Sequence, residues 1–571
     1  MLPRLFQAFL VLSPPSALAC KCTYQSLCWP NADVFASLAT RLSQPLTYPR
    51  PPESACYPIN DQSGDCAEIQ AGSLNATWRA DQIGSMQSIN FETYIDTNRS
   101  VIEACYLNTT LGAPCEQGSV PVVGVDARTT QDVIEAVIFA GTNNLKVVIK
   151  NTGHDYLGRS TARGSFLIWT HNMKDITYDD DFSPSGAPPG DTYEAITLGA
   201  GVQWHEAYSA ANEHNRILVG GLTHGGSVGA AGGWILGGGH SALSPSYGLG
   251  VDNVLQFTIV TSDGEHLTVS SYSHPDLFWA LRGGGGGTFG VVTSVTYRTH
   301  LSVPAVAAVF SANTTNSSTM AKMLGEYARM SPALVDQGWG GYGTNSQGSF
   351  QFLHVAPNAS LASANDSYAS FFDFARSLSE DGLDVQAAYT QSYSTYYEWY
   401  QTWFSTGEPV GPGMNILLGS RLLPRVVVEV NYTHVGETLA NLGIWTQWVL
   451  VAGGAVSKVD PEATGLNPAW RTALAELVTA VEWPEGSTIA DINDQHTALT
   501  QKVSVLEGLA PGSGAYLNEA SPDEDNWQWT FFGSHYDRLK EIKGRYDAAG
   551  MFVVAKGVGS EDWDKEQICP A

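Results

Sequence analysis

Apolar and polar positions first follow a regular pattern at Val122. The run VVGVDA predicts a strand, and Thr129 with Asp132 three residues later predicts the N-terminus of a helix. The apolar face of that helix carries Val133, Ile134, Val137 and Ile138. A short β-branched run at residues 147–149 predicts a second strand. This segment therefore predicts a β-α-β unit.

A second patterned region lies between residues 254 and 299. Leu255, Phe257 and Ile259 alternate with polar residues, and Asp263-Gly264 then predicts the turn of a hairpin. The segment SHPDLFWALR predicts a short helix that ends in a run of glycines, and VVTSVTYRT predicts a further strand. Glycine-rich loops thus join regular elements here.

The composition changes after residue 300. Residues 301–510 are richer in Ala, Ser, Tyr and Trp and contain helical runs, which predicts a second domain with its own sheet and helices. Residues 511–571 contain a predicted strand at residues 516–519 and an amphipathic helix through Tyr536, Leu539 and Ile542. The glycines and aromatic residues of this last segment are similar to those of the first domain, so we expect the chain to return there.

The N-terminus has the features of a secretory signal peptide. A basic Arg4, an apolar run, Pro14-Pro15 and small residues up to Ala19 predict cleavage after residue 19. No later segment is apolar over the roughly 20 residues that a membrane helix needs. We therefore expect a secreted protein with five parts: a signal peptide (1–19), a disulfide-rich lead-in (20–115), a first domain (116–300), a second domain (301–510) and a return segment (511–571).

The cysteines and the glycosylation motifs agree with secretion. Eight cysteines, an even number, predict disulfide bonds, although a metal site at Cys20, Cys22 and Cys28 is an alternative. N-glycosylation motifs occur at Asn75, Asn98, Asn108, Asn313, Asn316, Asn358, Asn365 and Asn431. The formal net charge of -27 argues against nucleic acid or an anionic membrane as a partner.

Three glycine-rich loops are the candidates for a functional site: residues 151–160, 220–239 and 282–290. Backbone N–H groups approach an anion closely where a Cβ would block it, so the loops predict a large phosphorylated cofactor; tight turns are the alternative. A dinucleotide-binding G-x-G-x-x-G in the required context, a Walker A loop, H-E-x-x-H and a nucleophile elbow are all missing. These absences weaken the hydrolase and nucleotide-hydrolysis interpretations.

Several segments in order resemble one known family. They are NTGHDYLGRS, GVQWHEAY, SVGAAGGWILGGGHSALSPSYGLGVDNVLQFTIVTSDG, HPDLFWALRGGGGGTFGVVTSVTY, AYLNEASP and VGSEDW. They resemble the FAD-linked oxidases of the vanillyl-alcohol oxidase type, in the berberine-bridge-enzyme-like branch, and the lead-in resembles that of secreted fungal isoamyl alcohol oxidases. The implied fold is α+β, with an FAD-binding domain of two α+β subdomains and a substrate domain whose antiparallel sheet is covered by helices.

The resemblance implies that His154 is bonded covalently to the flavin. Many members have a second link through a cysteine, and here the aligned position is Gly225, beside His224. We therefore expect a single covalent link. His224 is either a base or hydrogen-bond partner near the flavin or a structural residue.

The resemblance also implies a set of mostly backbone contacts with FAD. The expected residues are Lys150, Asn151, Thr152, Gly153, Gly158, Ser227, Val228, Gly229, Gly233, Gly237, Gly239, Gly290, Val292 and Asn518. No metal is expected.

The implied reaction removes a hydroxyl or amine proton, transfers a hydride to the flavin and passes electrons to oxygen, giving hydrogen peroxide. Tyr516 is the expected base or substrate-binding group, with Tyr156 orienting and His224 as a further candidate. An acid from the second domain, between residues 340 and 420, is the alternative base. The aromatic run at residues 393–404 is either core or a substrate wall.

The predicted function is a secreted FAD-dependent oxidase of an alcohol, a sugar or a secondary metabolite. One alternative is an oxidative cyclase or dehydrogenase that reacts poorly with oxygen. Another is a non-catalytic secreted glycoprotein that keeps the fold, against which the intact His154 loop argues.

Overall fold

The structure is a computed structural model that describes residues 19–59, 64–405 and 411–571. All of the predicted signal peptide except Ala19 lies outside these ranges. Among the described residues, no helix is long and apolar enough to cross a membrane.

The lead-in consists of short elements joined by disulfide bonds. These elements are α1 (Ala32–Ala39), β1 (Leu46–Thr47), α2 (Cys66–Gly72), α3 (Ala76–Asp81), β2 (Tyr94–Asp96) and β3 (Val101–Glu103). The disulfide bonds are Cys20–Cys569, Cys22–Cys28, Cys56–Cys66 and Cys105–Cys115. All eight cysteines are described and paired, so the predicted disulfides are present and the alternative metal site has no thiols.

The first subdomain contains the predicted β-α-β unit. Its elements are β4 (Val123–Asp126), α4 (Thr130–Thr142), β5 (Val147–Lys150) and β6 (Phe166–Trp169). Strand β6 lies between β4 and β5 and is parallel to both, whereas β1 of the lead-in pairs antiparallel with β4. Thr129 and Asp132 form the predicted capping box of α4. Phe35 and Leu38 of α1 share a core with α4, so the lead-in packs on this subdomain.

The second subdomain is built on an antiparallel sheet. Its elements are β7 (Ile176–Phe182), β8 (Tyr193–Gly199), α5 (Trp204–Glu213), β9 (Arg216–Ile217), α6 (Gly233–Leu236), α7 (Ser244–Tyr247), β10 (Val254–Val260), β11 (His266–Ser270), α8 (Pro275–Leu281), β12 (Val291–Arg298) and β13 (His300–Leu301). The strand order is β11-β10-β12-β8-β7. The predicted hairpin is formed by β10 and β11, and the predicted short helix is α8.

The substrate domain has a larger antiparallel sheet. Its elements are β14 (Ala305–Asn313), α9 (Ser317–Asp336), β15 (Gly340–Ser346), β16 (Ser349–Pro357), α10 (Leu361–Ser377), β17 (Asp384–Tyr393), α11 (Tyr396–Phe404), β18 (Asn415–Pro424), α12 (Arg425–Asn441), β19 (Thr446–Leu450), β20 (Ala473–Trp483) and α13 (Ile489–Leu509). The strand order is β17-β14-β16-β15-β19-β20-β18. Helices α9, α10 and α12 contribute to an apolar core on one face. The opposite face is turned toward the second subdomain, which confirms the expected two-domain α+β architecture.

The last helices of the chain pack against the second subdomain. They are α14 (Trp527–Phe532) and α15 (Tyr536–Tyr546), and Leu539 and Ile542 of α15 belong to the core of that subdomain. The strand predicted at residues 516–519 is wrong. Residues Leu517–Glu519 form a single 3-10 turn, because the Glu519 N–H bonds locally to the Tyr516 carbonyl at 3.0 Å rather than to a neighbouring strand.

The disulfide between the two ends of the chain should contribute more stability than a short-range one. Cys20 and Cys569 are 549 residues apart, whereas Cys105 and Cys115 are 10 apart. Loop-closure entropy predicts a difference of about 3.5 kcal/mol between these bonds. We expect Cys20→Ser/Cys569→Ser to lower the thermal unfolding midpoint further than Cys105→Ser/Cys115→Ser, measured by calorimetry. Equal shifts would contradict this.

Candidate functional site

Two adjoining cavities lie where the subdomains, the substrate domain and the return segment meet. The inner cavity, with a volume of about 260 Å³, is lined mainly by the three glycine-rich loops. The outer cavity, of about 1330 Å³, lies against the sheet of the substrate domain. The residues that line both cavities are Tyr156, Leu222, Thr223 and Glu519. Ligands in the two cavities would therefore be neighbours at these residues.

Most of the residues predicted to contact FAD line the inner cavity. They are Asn151, Thr152, Gly153, His154, Val228, Gly229, Gly233, Gly290, Val292 and Asn518. Gly233 shows why glycine suits this wall, because a Cβ built there meets no protein atom within 4 Å. The Oδ1 atom of Asn151 is buried without a hydrogen-bond partner among the described residues. The wall therefore has both the free space and an unused polar atom that a bound polar ligand requires.

The remaining predicted cofactor residues lie behind the wall. A Cβ at Gly158, Gly237 or Gly239 would meet Phe91, Asn518 or Trp234 within 3 Å, so these glycines are explained by protein packing. Ser227 contacts His154. The Lys150 ammonium donates to the carbonyls of residues 82 and 83 in the lead-in, at 2.6 and 3.0 Å, and burial lowers its pKa to about 7.

His154 lies on a loop that follows β5 and is packed against the lead-in. Gly153 has a φ of +80°, which glycine adopts without strain, and its carbonyl accepts from the Gln87 N–H at 2.9 Å. The Nε2 atom of His154 lies 2.8 Å from the Ser227 hydroxyl. Burial lowers the pKa of His154 to about 4, so its imidazole is neutral near neutral pH.

The two predicted tyrosines also lie at the junction. Burial, reinforced by the nearby Glu519 carboxylate, raises the pKa of both Tyr156 and Tyr516. The Asn518 amide donates to the Tyr516 hydroxyl at 2.8 Å, and Asn518 Oδ1 accepts from Arg159 at 2.9 Å. These surroundings favour neutral phenols, which donate hydrogen bonds more readily than they remove protons.

Sequence reasoning missed a group of three ionisable residues beside Tyr516. His240 Nε2 lies 3.2 Å from Glu519 Oε1 and 4.0 Å from Glu476 Oε2. One donor atom from each residue lies within 4.8 Å of the others. Glu476 is fully buried, and neither of its oxygens has a hydrogen-bond partner among the described residues. Burial, then the charge of Glu519, raises the pKa of Glu476 well above its usual value.

The acid expected between residues 340 and 420 is not found at either cavity among the described residues, and Glu408 lies outside them. Alternation along β20 puts Glu476 on the same face as Val478 and Ala480, which line the outer cavity. A single acid inside the apolar run ALAELVTAV is the sequence signal that would have identified Glu476.

Arg159 was also missed as a site residue. It lines the inner cavity, is paired with Asp155 at 2.6 Å, and bonds to Asn518. Among the described residues it is the one lysine or arginine on that wall. Its position within the first glycine-rich loop is the sequence signal that could have identified Arg159 as a site residue.

His224 lies in the outer cavity, away from the wall of the inner one. Its ring centroid is 5.6 Å from that of Phe404. The aromatic run at residues 393–404 is divided between two roles: Trp403 and Phe404 line the outer cavity, whereas Trp399 and Tyr400 are buried in the core. Part of the run therefore lines the outer cavity and part of it is core.

Comparisons with known proteins agree with this geometry. A family model described as an FAD binding domain matches residues 121–270, and one described as berberine and berberine like matches residues 515–559. An uncharacterized FAD-linked oxidoreductase of Arthroderma benhamiae is 38% identical over 588 residues, covering 98% of this chain and 97% of that protein. The FAD-linked oxidoreductase ZEB1 of Gibberella zeae is 35% identical, covering 97% and 95%.

A solved structure shows the same architecture. The VAO-type flavoprotein MtVAO713 from Myceliophthora thermophila C1 has a TM-score of 0.87 at 26% identity, covering 97% of this chain and 100% of that one. The chain belongs to the FAD-linked oxidoreductases of the vanillyl-alcohol oxidase type, in the berberine-bridge-enzyme-like branch.

Filling the free space at Gly233 should weaken FAD binding without disturbing the fold. Gly233→Ala places a methyl group into the inner cavity, and we expect the FAD Kd to rise about tenfold or more. Gly544→Ala is the matched control, because Gly544 is exposed in α15 and an added methyl group there would also meet no atom within 4 Å. Fluorescence titration of flavin-free protein measures both; unchanged affinity in Gly233→Ala would place FAD elsewhere.

Proposed function

We propose that this chain is a secreted oxidase that carries FAD in the inner cavity, linked once through His154, and oxidises a small molecule in the outer cavity with release of hydrogen peroxide. The observation that carries the proposal is the position of His154. Its neutral imidazole lies on the wall of the inner cavity, two residues before Tyr156, which also lines the outer cavity. A cofactor attached there would lie beside a substrate bound in the outer cavity.

The chemistry of the inner wall supports FAD as the occupant. Gly233 leaves room in this wall that a Cβ would fill. Arg159 lies on the same wall, paired with Asp155 at 2.6 Å, and Asn151 supplies an unused acceptor. The space and polarity of this wall therefore suit a bound dinucleotide.

The cysteine pairing supports a single covalent link. Every cysteine is described and lies in a disulfide bond, so none offers a thiol to the flavin. Gly225, at the position aligned with the second link, has a φ of +73°, which a cysteine would adopt only with strain. His154 is thus the one attachment residue in the proposal.

The carboxylate group beside Tyr516 is the proposed proton acceptor. FAD, when bound, supplies the acceptor for the hydride. Glu519 lines both cavities and takes the proton of the substrate hydroxyl or amine, and His240 Nε2 lies 3.2 Å from this carboxylate. Tyr156, which lines both cavities, acts as a neutral hydrogen-bond donor that orients the substrate oxygen or nitrogen, because burial opposes its ionisation. Tyr516 is also kept neutral by burial and lines the inner cavity beside it.

The wall of the outer cavity supports an uncharged or cationic substrate. Among the described residues that line it there is no lysine or arginine, whereas Glu482 and Glu519 carry negative charge. An anionic substrate would have to approach these carboxylates without a cationic partner. Hydroxyl and amide side chains, together with Trp403 and Trp445, suit an alcohol, a sugar or an amine-bearing metabolite.

The surface supports secretion. All eight N-glycosylation asparagines are exposed, and disulfide bonds persist in an oxidising compartment. The N-terminal sequence supplies the matching targeting signal.

Removing the attachment residue should release the flavin. We expect His154→Ala to bind FAD that acid precipitation frees into the supernatant, whereas wild-type protein keeps its flavin in the pellet. Absorbance of the two fractions is the measurement. His171→Ala is the control, since His171 is a buried histidine that lines neither cavity. Flavin retained in the pellet of His154→Ala would contradict the proposed link.

Removing the proposed base should reduce turnover more than removing the phenol. We expect Glu519→Gln to lower kcat about 100-fold or more, whereas Tyr516→Phe loses about tenfold or less with one hydrogen bond. The exposed Glu482, which also lines the outer cavity, provides the control Glu482→Gln. A substrate is first found by peroxide release from alcohols, sugars and amines. Steady-state peroxide release then gives kcat, and stopped-flow bleaching of the flavin gives the rate of flavin reduction. The reverse order would assign the base to Tyr516.

A further inference from the structure

One hydrogen bond joins the first two glycine-rich loops. His154 Nε2 lies 2.8 Å from the Ser227 hydroxyl, 73 residues later in the chain. Ser227 is fully buried, and its carbonyl accepts from the Gln203 side chain at 3.0 Å. The next residue, Val228, accepts from the Trp204 N–H at 2.9 Å. These hydrogen bonds therefore hold the Ser227 backbone in place beside the His154 ring.

This contact distinguishes the two nitrogens of the His154 ring. Nε2 is occupied by Ser227, whereas Nδ1 has no hydrogen-bond partner among the described residues. A terminal imidazole torsion has a broad minimum, so without a partner the ring would rotate between two orientations. In the tautomer in which the hydroxyl accepts from Nε2–H, the lone pair is on Nδ1, in a residue that lines the inner cavity.

Among the described residues, no charged group bonds to the His154 ring in place of Ser227. Burial alone accounts for the lowered pKa of His154, without a contribution from a neighbouring acid or base. The imidazole is thus already neutral, and what the protein still has to supply is the direction of its lone pair. Ser227 is the described residue that bonds to the ring.

We propose that Ser227 is the positioning residue for covalent flavin attachment, orienting the His154 ring so that Nδ1 forms the bond; this rests on the proposed function. In that step, Nδ1 supplies the electron pair of the new bond to the 8α carbon of the flavin, the 8α carbon loses one proton, and the alkylated imidazole then loses its Nε2 proton. The two electrons released by the oxidation pass into the flavin, from which molecular oxygen removes them, together with two protons, as hydrogen peroxide. Nε2–H donates to Ser227 while the new bond forms, and the Ser227 hydroxyl donates to Nε2 afterwards.

The test separates attachment from binding. Full-length protein free of flavin, from a riboflavin-auxotrophic host, is mixed with FAD; flavin fluorescence titration gives the Kd, and acid-precipitated samples give the rate of covalent incorporation. We expect Ser227→Ala to leave the Kd within about twofold but to slow incorporation at saturating FAD about tenfold or more, as the loss of one well-placed hydrogen bond implies. Ser227→Thr, which keeps the hydroxyl, should recover most of the rate.

Ser331→Ala is the matched control. Ser331 is also fully buried and hydrogen-bonded, but it lies in α9 of the substrate domain, and we expect wild-type attachment. A wild-type rate in Ser227→Ala would overturn the proposal, and so would a loss of FAD binding, which would make Ser227 part of the cavity wall rather than of the attachment step. Covalent flavin in His154→Ala would instead overturn the proposed function itself.

Discussion

The site depends on how the loop that carries His154 is fixed between two distant parts of the chain. On the lead-in side, the Gln87 backbone and side chain donate to the carbonyls of Gly153 and Thr152 at 2.9 and 3.1 Å. On the other side, Ser227 contacts the imidazole. Because neither partner is local in sequence, the loop acquires its shape only when the lead-in, the first subdomain and the second subdomain are packed together.

The return segment places further candidate site residues beside this loop. Asn518 bonds to Arg159 from the first loop, to the Gly233 carbonyl and to the hydroxyl of Tyr516. One residue further, Glu519 contacts His240 and adds negative charge beside the buried tyrosines. Burial, and this charge after it, raises the pKa of both phenols and opposes their ionisation.

Local sequence signals predicted the parts of the molecule that depend on local structure. The capping residues Thr129 and Asp132 and the hairpin turn at Asp263-Gly264 act within a few residues, and the structure contains them. The contact between His240 and Glu476 joins residues more than 200 positions apart, so no local pattern contains it. The predicted strand at residues 516–519 failed for a related reason, since Tyr516 and Asn518 are placed by partners in the second glycine loop rather than by a sheet.

The most direct test of the flavin link is peptide mass spectrometry of the wild-type protein. Secreted protein is acid-precipitated and digested, and the fragment that contains residues 151–160 is sequenced by fragmentation. We expect this peptide to carry the added mass of FAD, located at His154, and no other peptide to carry it. An unmodified His154 peptide with all flavin in the supernatant, or flavin located on a different residue, would contradict the proposed attachment.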